Sequence, residues 1–200
     1  MTEFPSQLGQ DRWVLDKKPD GGGFFLELGC YHPKDLSNTW ALEQRGWRGI
    51  SVDPFPSGDW SIRPNTRLVP AAVTSHGRPI RFVKGNELGG DEEHIGVHSD
   101  KVSKCERVVI PSISTRDLID EYEIPKKIDY LSIDVEGSEY DILRSFPFDL
   151  VSVDLITVEH NFEVNKRQKI RAFLESRGFE KVTDIDTKWD DWFQSVQKKK

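Results

Sequence analysis

Near the middle of the chain, Ile128 to Ile133 forms a strand-length, largely apolar run that stops abruptly at Asp134, Val135, Glu136, Gly137 and Ser138. A run of this kind that breaks into a polar turn and then a helical pattern predicts the strand, turn and helix unit of an open α/β sheet. Ser138 is placed to cap the helix, and Glu139 and Asp141 suit its positive end. Ile142, Leu143 and Phe146 offer an inward face until Pro147 ends it. Ligands of open α/β sheets bind beyond the carboxyl ends of the strands, so Asp134 and Glu136 are expected in a site.

The same pattern recurs on both sides. Phe24 to Leu28 reads as a strand that turns at Gly29 and Cys30, followed by a helix capped by Asp35 or Ser37 and stopped by Gly46. Gly49 to Val52 makes a second strand closed by Asp53 and Pro54, where nucleoside-binding α/β folds hold ribose hydroxyls. A third strand, Arg67 to Val73, ends around Ala71 and Ala72, whose small side chains leave room for a flat ring. Ile80 to Val83 and Arg107 to Ile110 are strand-like, and Ser114 caps a short helix. Val151 to Val158 is another buried strand, ending in Glu159, His160 and Asn161, and its helix runs to about Arg177. Phe179 to Thr183 and Trp189 to Phe193 close the pattern. The alternation predicts an α/β fold with a mainly parallel central sheet and helices on both faces. The polar, glycine-rich stretch from Lys84 to Lys101 is the expected substrate loop.

No linker composition divides the 200 residues, and 36% hydrophobic content suffices for one buried core. The predicted organisation is an arm or short helix over 1–23, a single domain over 24–196 and a disordered basic tail at 197–200. With 28 basic residues scattered among 34 acidic ones, for a net charge of −6, a phosphate-neutralising nucleic-acid surface is not expected. No stretch has the length and apolarity of a signal or a membrane span, which predicts a soluble, cytoplasmic or otherwise intracellular chain without membrane insertion. Cys30 and Cys105 occur in unrelated contexts and are expected as free thiols.

The turn at Gly29 lets the backbone approach a ligand, but it has neither the glycine triplet of dinucleotide folds nor the Gly-Lys-Ser/Thr of a phosphate loop. A nucleoside without a phosphate fits better. Acids at three strand ends, Glu27, Asp53 and Asp134, with Glu136 and Glu159 beside them, predict an electronegative pocket suited to a cation such as a sulfonium. Trp60 is read as a wall for adenine or a stacking face for a sugar, with core packing as the competing reading.

The run FFLELGCYHPKDLSNTWALEQRGWRGISVDPFP resembles the amino-terminal motif of FkbM-type, S-adenosylmethionine-dependent methyltransferases, including Ser37, Asn38, Thr39, Gly46, Trp47 and Asp53 before Pro54. The later IDYLSIDVEGSEYDIL and ITVEHN are similar to that family's two other signatures, and WDDWF falls in similar order. The chain departs from the family at Cys30, Tyr31 and Pro33, where Gly-Ala and a further glycine are common. The resemblance implies a Rossmann-like class I methyltransferase fold, S-adenosyl-L-methionine as cofactor, and methyl transfer to a hydroxyl of a sugar or glycan. It assigns cofactor contacts to Glu27, Gly29, Cys30, Asn38, Asp53, Pro54, Ala71, Ala72 and Asp134. An alcohol must be aligned and deprotonated to accept a methyl group, and Asp134, Glu136 and His160 are the groups expected to do it. A packed core histidine is the plainer alternative for His160. Magnesium or manganese on Asp134 and Glu159 is a further expectation from the oxygen donors. Polyketide, lipid or protein acceptors, and a non-catalytic nucleoside- or glycan-binding module, stay open.

Overall fold

A computed structural model describes residues 3–196. The expected tail at 197–200 lies outside the described residues. The elements run α1 (Gln10–Lys17), β1 (Phe24–Leu28), α2 (Trp40–Glu43), β2 (Arg48–Val52), β3 (Thr66–Val69), β4 (Ala72–Thr74), β5 (Ile80–Val83), β6 (Gly90–Asp91), β7 (Arg107–Ile110), β8 (Ser112–Ser114) and α3 (Thr115–Glu121). They continue with β9 (Lys127–Ile133), α4 (Glu139–Ser145), β10 (Ser152–Glu159), α5 (Val164–Ser176), β11 (Phe179–Lys181) and β12 (Asp190–Ser195).

Seven strands form one sheet in the order β11-β12-β10-β9-β1-β2-β3. The five from β10 to β3 pair in parallel, and β12 runs antiparallel between β10 and β11. Because strand side chains alternate between faces, neighbours in sequence feed different cores. Phe25, Tyr130, Leu155 and Trp192 pack with Trp13 and Val14 of α1 and Leu42 of α2. Leu26, Leu131, Ile156 and Phe193 pack on the other face with Leu118 of α3, Ile142 of α4 and Ile170 of α5. Helices therefore cover both faces, and α1 is packed into the body through Trp13 and Val14. Ser114 caps α3 as its sequence position predicts, accepting the Asp117 N–H.

The expected third strand, Arg67 to Val73, divides in two. Pro70 has no N–H to continue a ladder. The chain leaves β2 after Val69, and β4 pairs with β8 in a separate two-stranded sheet. β5, β6 and β7 form a small antiparallel sheet inserted after it. The helix expected from Asp35 or Ser37 starts later, with Thr39 at its cap and Ser37 Oγ accepting the Thr39 and Trp40 N–H groups. No helix among the described residues is long and apolar enough to cross a membrane.

Candidate functional site

Chain order leaves β1 outward through β2 and β3, then returns to β9 on the other side of β1. The loops leaving the two halves diverge at that switch point and open a crevice at the carboxyl ends of the strands. A cavity of about 770 Å³ lies there. Its wall is built from the tips of β1, β2, β9 and β10, from Ala71 to Val73, Ile80 and Phe82, and from much of the segment after β5. Gly29 makes the close approach possible: at φ +81° a Cβ would stand 1.6 Å from Asp134 O.

Glu27, Gly29, Cys30, Asn38, Asp53, Pro54, Ala71, Ala72 and Asp134 all line this one cavity. Glu27 is buried, and its Oε2 accepts from Thr39 Oγ1 at 2.8 Å and Ser51 Oγ at 2.6 Å. Burial raises its pKa. Asn38 Nδ2 donates to Ser132 Oγ at 3.0 Å, tying the loop after β1 to β9. Asp53 accepts the Tyr31 N–H at 2.9 Å and the Phe55 N–H at 2.8 Å, one on each oxygen, so it shapes two loops and keeps lone pairs for hydroxyl donors. Burial raises the Cys30 thiol well above its ordinary pKa, with Glu27 and Asp53 adding to it, so the sulfur stays protonated and unreactive.

Trp60 stands apart from this cavity. Its indole N–H donates to Ser57 O at 3.0 Å in a short turn that packs near Arg63. The aromatic wall is formed by Phe55 and Phe82, whose ring centroids are 5.4 Å apart and which both line the cavity. Sequence alone offered no signal for that pair, because Phe82 belongs to the inserted sheet and reaches Phe55 only through tertiary packing.

On the other half of the cavity Asp134, Glu136 and Glu159 come together. Each offers a carboxylate oxygen within 4.8 Å of those of the other two. Burial raises all three pKa values; next come Asp190 for Asp134, Asp134 for Glu136, and both partners for Glu159. The turn that carries the first two is held by Glu139, which sequence reading had placed only at the helix dipole. Its Oε1 accepts the Val135 N–H at 3.2 Å and the Gly137 N–H at 2.8 Å, and Lys166 Nζ donates to its Oε2 at 2.9 Å. Ser138 occupies the cap position without a side-chain bond. Glu136 itself sits at φ +59°, a costly conformation for a residue with a Cβ.

His160, expected in the catalytic set, is absent from the cavity wall and fully buried. Its Nδ1 accepts the Phe162 N–H at 3.0 Å, so Nε2 carries the proton and donates to Asp190 O at 3.1 Å. Both ring nitrogens are thus engaged by backbone. The turn they hold contains Asn161 and Phe162 at φ +49° and +60°. It directs Asn161 Nδ2 onto Glu159 Oε2 at 2.6 Å and leaves Phe162 63% exposed at the cavity wall.

The segment from Lys84 to Lys101 crosses the cavity as two short 3₁₀ turns and β6, pinned by Ile95 and Val102 against Val83. His98 Nε2 reaches Glu136 Oε2 at 3.2 Å, while His94 pairs with Asp91 at 3.0 Å. The two histidines therefore serve different partners. A Cβ on Gly137 would meet His94 O at 1.9 Å, which shows how closely this segment rests on the β9 turn.

A family model described as the methyltransferase FkbM domain matches residues 29–181, about three quarters of the chain. No curated protein matches it.

Proposed function

Because this chain belongs to the FkbM methyltransferase family, we propose that it is an S-adenosylmethionine-dependent O-methyltransferase of Rossmann-like class I architecture that methylates a hydroxyl of a sugar or glycan. The observation that carries this reading is the single cavity at the sheet's switch point, in which an apolar slot and a carboxylate cluster face one another. The residues fit the cofactor. Phe55, Phe82, Ala71 and Ala72 offer a flat apolar slot for an adenine, Asp53 offers acceptors for ribose hydroxyls, and Gly29, Asn38 and Glu27 line the side left for the methionine portion. When bound, the cofactor supplies an electrophilic methyl group.

The chain's own contribution is positioning and proton removal. A hydroxyl is a weak nucleophile until it is held in line and loses its proton, and a base near the operating pH contributes about 10²–10⁴ in rate. Carboxylates whose pKa values are raised by burial and by one another are stronger bases than an exposed Asp or Glu. Asp134 and Glu136 are assigned to take the proton, and Glu159 to orient the acceptor. His160 is assigned as a positioning residue, since its imidazole holds the Asn161 and Phe162 turn. Phe162 and Trp189, whose rings meet edge to face 6.4 Å apart, suit the apolar face of a sugar ring at the wall.

Calorimetry with S-adenosylhomocysteine tests the cofactor half, and binding at one equivalent is expected. Incubation with the methyl donor and a panel of glycans, polyketides and lipids, read by mass spectrometry, tests the acceptor. A gain of one methyl group confined to glycans supports the reading; a gain confined to another class replaces the acceptor. No binding of the homocysteine product refutes the enzyme reading and favours a module that has lost catalysis.

A further inference from the structure

The geometry points to a divalent-cation site of the magnesium or manganese class, formed by Asp134, Glu136 and Glu159 on the acceptor side of the cavity. It rests on the methyltransferase reading for its use, which is to hold the acceptor hydroxyl, but its existence can be tested without turnover.

The three carboxylates arrive from separate places: the tip of β9, the turn that follows it, and the tip of β10. The three donors are hard oxygens, which suit magnesium or manganese better than zinc. Around a magnesium ion, with metal-oxygen distances of roughly 2.1 Å, adjacent ligands stand about 3 Å apart and opposite ones about 4.2 Å, so oxygens now within 4.8 Å close onto an ion by movements of roughly 1–2 Å, within the reach of carboxylate side-chain rotation.

An independent observation lies in Glu136. The residue is 8% exposed, and its inaccessible Oε2 accepts no hydrogen bond. His98 Nε2 stands 3.2 Å from that oxygen without the direction a hydrogen bond requires. A buried carboxylate oxygen left without a donor is costly unless a cation completes its surroundings. Lys166 does not supply that charge by contact, because its ammonium is engaged by Glu139 at 2.9 Å and Glu163 at 3.0 Å. A dication offsets two of the three carboxylate charges, where one monovalent group would offset a single one, and leaves open positions for hydroxyl oxygens. Asn161, which donates to Glu159 Oε2, fixes that carboxylate from outside the cluster.

The test uses the full chain, stripped with a chelator and titrated with manganese chloride while the signal of free Mn²⁺ is followed by electron paramagnetic resonance. One site per chain is expected, displaced by excess magnesium. Glu136→Gln and Glu159→Gln are expected to weaken it at least tenfold while far-ultraviolet circular dichroism stays unchanged. Asp141→Asn, at a half-buried acid of the neighbouring helix that faces His94, is expected to bind Mn²⁺ like the parent. No Mn²⁺ binding by the parent chain, or equal binding by both amide variants, overturns the inference. Calorimetry with S-adenosylhomocysteine on the same stripped protein separates the two readings: product binding without Mn²⁺ binding removes the cation site alone, and the reverse removes the methyltransferase reading alone.

Discussion

Replacing Arg63 with methionine removes the cation from a buried network whose loss can be sized. The guanidinium is enclosed: Nε pairs with Glu43 Oε2, Nη1 donates to Pro33 O at 2.8 Å, and Nη2 donates to Thr39 Oγ1 at 3.0 Å and Thr66 Oγ1 at 2.9 Å. Removing one partner of a buried ion pair costs about 3–5 kcal/mol, because the other charge stays buried without compensation. That is a large share of the roughly 5–15 kcal/mol that keeps a domain folded. At about 2–4 °C per kcal/mol for a domain of this size, the melting midpoint should fall by roughly 6–20 °C. The effect should also reach the site, since Thr39 donates to Glu27 and the loop from Pro33 to Thr39 carries Asn38. Urea unfolding at neutral pH measures the loss. The double variant Arg63→Met with Glu43→Gln removes the stranded charge and keeps an acceptor for the Asn65 N–H, now bonded at 2.8 Å, so at least half the loss should return. A loss below about 1 kcal/mol, the range of a surface pair, refutes the argument. So does a double variant whose loss equals the sum of the singles.

Other perturbations test the remaining assignments. His160→Ala should cost about 1–3 kcal/mol by leaving the Phe162 N–H unpaired, while the Asp190 carbonyl keeps its bond from Thr187 Oγ1 at 2.7 Å. His160→Asn restores an acceptor and should recover turnover with an unchanged pH profile, whereas loss of one limb of that profile would identify a base. Phe82→Ala opens the apolar slot against Phe55 and should weaken S-adenosylhomocysteine binding at least tenfold in calorimetry with little change in fold; unchanged affinity would move the adenine elsewhere. Burial raises Asp190 to about 6, so its share of stability is full below its ordinary pKa and lost as pH rises through about 6. Asp190→Asn should therefore gain on the order of 3 kcal/mol above pH 7 relative to the parent, seen in melts across pH. Asp191 has the opposite sign: burial pushes its pKa up, but the His160 ring N–H 3.7 Å away, the Arg167 hydrogen bonds and the Lys181 ammonium at 2.8 Å outweigh that and hold it low. Its contribution is present above the ordinary carboxylate range and disappears as the pH falls through its lowered value. Asp191→Asn should flatten the acid limb of the same melts.

The sheet and its crevice were legible because they follow from local chemistry. The apolar runs at Phe24, Gly49, Ile128 and Val151 bury alternating faces, and Gly29, Gly46 and Gly178 take the positive φ that a turn or helix end requires. An acid directly after such a strand has nowhere to go except the carboxyl end, so Asp53, Asp134 and Glu159 were placed by position alone. What chain order cannot encode is which groups are already engaged. His160 sits one residue past Glu159 and looks equally available, yet the antiparallel return of β12 brings Asp190 O against its ring and withdraws it from the cavity. Trp60 likewise gave way to Phe55 and Phe82, a contact between the β2 loop and a sheet inserted later in the chain. Spacing within a segment thus determined the strands, the turns and the acids at their tips. Only the packing of segments distant in sequence decided which of those polar groups met each other and which faced the ligand, because a hydrogen bond already made inside the fold is invisible until both partners have been brought together.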